Sequence, residues 1–196
     1  MALSEARRER LEEKEEGASN TLVLMSYPWP QELDFFVSEA RGFVSMCERS
    51  HSDEPPTDFR NECLRRLSAL YYGAINMPEV PFLEAPASPS RDVQKRLTEN
   101  LMALPFQYYA EPLEPANLDK NGDMAVGDLF DDFIDIHHDL SDGLWLWDQG
   151  HWEAAVWHWR LLHWHWSNHI ISALHALHLF GVPDSIGAVN GQGTTS

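Results

Sequence analysis

Two rows of metal-ligating side chains stand out in the second half of this 196-residue chain. Asp128, Asp132, Asp135 and Asp139 recur at i, i+4, i+7 and i+11, and His158, His165 and His169 at i, i+7 and i+11. On an α-helix such spacing keeps the aspartates within about 60° of one another and the histidines within about 40°. Carboxylate and neutral imidazole together suit a divalent transition metal such as zinc, iron, manganese or nickel, and helical bundles build such sites from facing helices. Without a metal, the same groups can form a ladder of Asp–His hydrogen bonds, in which nearby negative charge favours the protonated imidazole.

Whether the rows meet depends on the elements that carry them. Gly150 allows a tight reversal between two helical patterns, and in an antiparallel hairpin about that point, residues at one level have numbers adding up to about 300. That rule sets Asp139 level with His158, Asp135 with His165 and Asp132 with His169. Leu162, Ala154, Ala176 and Phe180 share the histidine face, so the imidazoles are expected inside the protein, where they need partners. The candidate metal ligands are therefore Asp132, Asp135, Asp139, His158, His165 and His169. A simpler account stands beside this one: Leu129, Phe130, Phe133, Leu140 and Leu144 oppose the aspartates, which then form the solvated face of an amphipathic helix. The Glu-x-x-His pairs of di-iron carboxylate bundles are missing.

Tryptophan is concentrated in the same region. Seven of the eight indoles lie between Trp145 and Trp166, and Trp145, Trp152, Trp159 and Trp166 recur every seven residues. A heptad row lies along one side of a helix, so these indoles are read either as core filling or as a binding groove or aromatic cage.

The pattern as a whole predicts an all-α, single-domain bundle of about five helices. The first covers Gln31 to Arg49, with Leu33, Phe36, Val37, Phe43, Val44 and Cys47 at helical spacing. The second begins with Thr57 as its cap and carries Phe59, Cys63, Leu67, Leu70, Tyr71 and Ala74 up to Met77. A third spans Ser90 to Ala103, a fourth Asp123 to Asp148, and a long Trp/His-rich helix runs from His151 to Phe180, closed by Gly181 and Pro183. The Pro-rich connections at 78–89 and 105–115 are expected to be irregular. No period of two is visible, so no sheet is expected. Residues 1–25 read as a mobile charged leader, 26–186 as the bundle domain and 187–196 as a disordered tail.

Composition narrows the function classes. With 43% hydrophobic and 23% charged residues, the chain has globular proportions. A formal charge of −17, and ten acidic residues against Arg160 alone between Asn121 and Asp184, argue against nucleic acid. Leu161 to Phe180 is the longest apolar stretch, but its five histidines argue against a membrane span. The start has no secretory pattern, and Cys47 and Cys63 are too few for a disulfide scaffold, so a cytoplasmic location is expected.

The run DDFIDIHHDLSDGL, then Gly150, EAAVWHWR, HWSNH and ALHALH, together with the earlier LSALYYGAINMPEV, resembles DUF5063, a family of bacterial helical proteins catalogued only as a domain of unknown function. The resemblance covers about Gln31 to Phe180. Asp131, Asp132, Asp135, Asp139, Leu140, Gly143, Leu144, Gly150, Ala154, Trp157, Trp159, Arg160, His165, Trp166, His169 and His178 match its pattern, whereas His158, His163, Trp164 and His175 are particular to this chain. It implies a helical fold and no activity.

There is no Gly-rich phosphate loop, no nucleophile elbow and no cysteine beside an evident histidine, so no catalytic residue and no organic cofactor is assigned. The expected function is that of a non-enzymatic helical protein binding another protein or a small ligand through its Trp-rich part. The alternative is a bundle holding a divalent transition metal between the Asp and His rows, acting as a hydrolase or oxidoreductase.

Overall fold

The computed structural model describes residues 31–180 apart from 91, 118, 120 and 121. The leader expected over 1–25 and the tail expected over 187–196 lie outside the described residues. Among the described residues, six helices and one small sheet follow in the order α1 (Gln31–Glu48), α2 (Pro56–Ile75), α3 (Gln94–Leu101), β1 (Tyr108–Pro112), β2 (Met124–Asp128), α4 (Leu129–Asp148), α5 (Trp152–Leu161) and α6 (His163–Phe180). The fold is a helical bundle, as the apolar spacing requires. No helix among the described residues is long and apolar enough to cross a membrane.

Each long helix buries one stripe. On α1 it is Leu33, Phe36, Val37, Ala40, Phe43, Met46 and Cys47; on α2 it is Phe59, Cys63, Leu67, Leu70 and Ala74. Pro56 opens α2 at a position where a missing N–H costs nothing, and Thr57 makes no cap bond, contrary to the expectation from its side chain. At the far end of the bundle Arg60 of α2 reaches the last carbonyls of α6, donating to Leu177 (2.8 Å) and His178 (3.1 Å). A cation there satisfies orphan acceptors and favours the negative end of the helix dipole.

Two expectations from sequence are overturned. Strands do form: β1 and β2 pair antiparallel, from Tyr108 opposite Asp128 to Pro112 opposite Met124, so the segment 105–115 is only partly irregular. The fourth helix accordingly starts at Leu129, six residues later than expected. The sequence Asn121-Gly122 is a turn signal, and Gly122 takes φ +115°, a conformation open to glycine. Asp128 closes β2 and caps α4, its Oδ1 accepting from the backbone N–H of Phe130 (2.9 Å) and Asp131 (3.4 Å). It is thus outside the helical aspartate row.

The second correction concerns the long C-terminal helix, which is broken at Leu162 into α5 and α6. At the break the indole N–H of Trp166 donates to the carbonyl of Trp159 at 3.0 Å, drawing a helix acceptor to a side-chain donor. Such an insertion into the backbone ladder is a recognised cause of helix bending. The reversal before α5 behaves as expected. Gly150 takes φ +81°, and the N–H groups of Gly150 and His151 bond the carbonyls of Trp147 (3.0 Å) and Leu146 (3.0 Å) in a Schellman closure.

The heptad indoles divide between core and surface. Trp159 and Trp166 are fully buried, Trp145 is half-buried and Trp152 is exposed. Phe36 of α1 meets both buried indoles, at ring-centre distances of 5.0 and 5.9 Å. Trp159 lies against Gly143 of α4, where a Cβ would overlap its Nε1, and that N–H donates to the carbonyl of Leu140 at 3.3 Å. Gly143→Ala is therefore expected to destabilise the fold by about 1–3 kcal/mol through overpacking. Gly42→Ala, which meets only the flexible end of Arg66, should be near neutral. Urea midpoints compare the two, and an unchanged midpoint for Gly143→Ala would show that the indole has room to yield.

Candidate metal centre

The reversal at Gly150 folds α5 and α6 back along α4, and the seating of Trp159 sets their rotation. Successive residues bond successive carbonyls: Trp159 donates to Leu140, and His158, through Nε2, donates to the backbone oxygen of Asp139 at 3.2 Å. Asp132, Asp135 and Asp139 of α4 consequently face α5 and α6. Asp132 is buried, while Asp135 and Asp139 are partly covered.

Of the three expected pairs, Asp132 and His169 meet, Nδ1 to Oδ1 at 2.8 Å. His165 bonds Asp139 and not Asp135, Nδ1 to Oδ2 at 2.8 Å. His158 reaches Asp139 through the backbone alone. The displaced residue, His165, lies in the first turn of α6, immediately after the break at Leu162. Asp139 thus receives His158 from α5 on its carbonyl and His165 from α6 on its carboxylate. His169 also turns Nε2 toward Oδ2 of Asp135, at 3.4 Å.

A carboxylate only accepts, so each of the two bonded Nδ1 atoms carries a proton and donates it. In the neutral rings the remaining nitrogen, Nε2, then holds a lone pair. His165 and His169 stand edge to face with centres 4.8 Å apart. One ligand atom each from Asp135, His165 and His169 lies within 4.8 Å of the other two. Their side chains keep 43%, 39% and 24% of their surface, so the trio opens to solvent on one side. Asp132 and Asp139 stand behind the two histidines in the position usually taken by outer-shell carboxylates of metal sites. His158 is outside the trio, since its Nε2 is committed to a carbonyl.

Tyr109 belongs to this constellation and sequence reasoning missed it. From β1 its hydroxyl donates to Oδ2 of Asp132 at 2.7 Å, so both oxygens of that buried carboxylate are satisfied. Its ring lies over Gly127 of β2, where a Cβ would collide with it. No local pattern marks the residue, because the contact exists only once the hairpin is formed.

The charges act as this packing dictates. The hydrogen bond to Asp132, reinforced by the charges of Asp132, Asp135 and Asp139, raises the pKa of His169 above its ordinary 6.5 against the opposing effect of burial. Burial, and then the bond to Asp132, push the Tyr109 phenol well above its ordinary range. Asp131 is raised by burial and by the neighbouring Asp128, Asp135 and Asp132. His163, lying apart from the row, is lowered by burial and by Arg160.

Fold and site together define a helical bundle with an Asp–His seam between α4 and α6. The chain belongs to the family described as Domain of unknown function (DUF5063), which matches residues 28–182. Its fold is similar to the crystal structure of protein BF1032 from Bacteroides fragilis, with a TM-score of 0.63 at 19% identity, over 78% of this chain and 93% of that one. No curated protein matches the chain in sequence.

Two outcomes follow from the seam. Tyr109→Phe strands one oxygen of a buried carboxylate and should cost about 1–3 kcal/mol in urea unfolding, whereas an unchanged midpoint would mean that water replaces the hydroxyl. In chelator-treated protein, the raised pKa of His169 makes its contribution full below its ordinary pKa of about 6.5 and lost as pH climbs through the folded value. The stability advantage over His169→Gln should then be largest near pH 6 and shrink toward alkaline pH; a constant difference would show that the imidazole is not charged in the fold.

Proposed function

We propose that this protein binds a divalent transition metal through Nε2 of His165, Nε2 of His169 and a carboxylate oxygen of Asp135. The observation that carries the reading is the double tether: each imidazole is held through Nδ1 by an aspartate, and one nitrogen of each ring lies within 4.8 Å of the same third carboxylate, that of Asp135. A ligating histidine is normally oriented by such a carboxylate, which fixes its tautomer and raises its basicity. Two imidazoles and one carboxylate are a donor set used for iron and for zinc, with positions left over for water or substrate. The half-open side of the trio suits that arrangement. A divalent ion bound there would supply Lewis acidity and activate water, which supports a metal-dependent hydrolase or oxidoreductase over an inert ladder. The buried thiols of Cys47 and Cys63 favour a reducing, cytoplasmic setting for it.

The chain's own residues set the conditions. Asp139 and Asp132 orient His165 and His169, Tyr109 holds Asp132, and protons compete for the ring nitrogens, so affinity should rise with pH. Untagged protein, stripped with chelator and titrated with zinc, ferrous iron and manganese, is expected to take up about one equivalent of a favoured ion. His165→Ala, at a half-exposed position, should abolish stoichiometric uptake while far-ultraviolet circular dichroism stays unchanged. Asp139→Asn should weaken binding about 10–100-fold, the usual effect of losing an outer-shell partner. Elemental analysis and calorimetry read both effects, and a protein that takes up none of the three ions would leave the Asp–His seam a purely structural device.

A further inference from the structure

The Pro-rich connection between α2 and α3 lays Phe82 to Ser88 across α4 and α5 and encloses a cleft of about 460 Å³. That volume is in the range of small-molecule sites. Its floor is Leu146 and Ala154. One wall is aromatic, with Phe82 set edge-on to Trp157 at 4.8 Å between ring centres. The polar groups along it are of one kind. Glu84 and Asp142 bring carboxylates, and the hydroxyl of Ser88 is already used as a donor to Asp142 at 2.5 Å. His158 donates its Nε2 proton to the carbonyl of Asp139, which leaves Nδ1 as an acceptor. Among the described residues no lysine or arginine lines the cleft, and the neighbouring Arg160 is held away by the carbonyl of Met77 (2.8 Å) and by Glu79.

A cavity that offers acceptors, negative charge and an aromatic wall is complementary to a donor cation with a flat or alkyl body. We propose that this cleft binds a small organic amine in its ammonium form, its charge toward Glu84 and Asp142 and its apolar part against Trp157 and Phe82. An ammonium group satisfies carboxylate and imidazole acceptors together, and an aromatic ring attracts a cation further. An anionic ligand of the same shape would meet two carboxylates with no compensating donor, which sets the sign of selectivity. The inference stands on the cleft alone and does not depend on a bound metal.

Three probes of one shape and different charge test it: 2-phenylethylamine, 2-phenylethanol and 3-phenylpropionate. Each is titrated at neutral pH in excess chelator, so that coordination of the amine to a metal cannot contribute. Binding is read by calorimetry and by the indole N–H signal of Trp157 in nuclear magnetic resonance. The amine should saturate the site, the alcohol should bind more weakly, and the carboxylate should not bind. Glu84→Gln, at an exposed position that the fold does not rely on, should weaken the amine about two- to fivefold and leave the alcohol unchanged. Trp157→Ala should weaken the amine about fivefold or more, with Trp157→Phe restoring most of the loss if the ring face matters. Equal binding of amine and carboxylate, no saturable binding of the amine at millimolar concentration, or an amine affinity untouched by both Glu84→Gln and Trp157→Ala would overturn the proposal.

Discussion

The indole of Trp159 pressed against Gly143 is the contact on which the rest of the structure turns. With no Cβ on α4 at that point, the ring of α5 can approach the helix backbone and bond the carbonyl of Leu140. A close approach of this kind leaves little freedom to rotate or slide, because interiors are packed as densely as crystals. Phe36 of α1 then fills the space beside Trp159 and Trp166, and Phe36 in turn presses on Gly73 of α2, so one chain of contacts couples five helices. The polar seam is a by-product of this apolar fit. Residue 158 precedes 159 and Asp139 precedes Leu140, so seating the indole also brings imidazole and acidic helix together.

Burying Asp132 makes demands in the opposite direction. A carboxylate removed from water has to be compensated, and here a phenol and an imidazole do so, one per oxygen. The phenol comes from a hairpin whose strands, five residues each, are short and whose outer side is exposed; two such strands have little stability by themselves. Pairing, the cap that Asp128 gives α4, and the Tyr109–Asp132 bond together hold the hairpin to the helical core. The same bond links the hairpin to the orientation of His169.

Charge is distributed in keeping with this division. On the side of α4 that meets α1, acidic groups find arginines or act on buried histidine: Arg41 bonds Asp148, while Glu48 takes both Arg96 (3.5 Å) and His137 (3.0 Å). Along the seam facing α6, the side-chain partners of Asp132, Asp135 and Asp139 among the described residues are histidines and Tyr109. Fixed cations neutralise the first side. On the second the partners are an uncharged phenol and imidazoles, of which His169 is drawn toward its charged form by Asp132.

The helical class was legible in the sequence because apolar residues recur at helical spacing, and a stripe such as Leu33, Phe36, Val37, Ala40 and Phe43 has to be covered. The reversal at Gly150 was legible too, since a glycine follows the last apolar turn, and with it the meeting of Asp132 and His169. The stripes and the turn depend on residues near one another in the chain, and the meeting of Asp132 and His169, 37 residues apart, follows from the turn. Partner choice beyond them was not legible. Asp139 took His165 just past the point where α5 and α6 separate at Leu162, and that break involves an indole seven residues from the carbonyl it bonds. Tyr109 joined the site because a hairpin with weak local signals placed it there, and Trp157 gained its cleft because a Pro-rich connection crossed α4 and α5. Periodicity determines which face of a helix is apolar, but rotation about the helix axis and the path of connecting segments are set by packing among distant elements, and only the tertiary structure decides them.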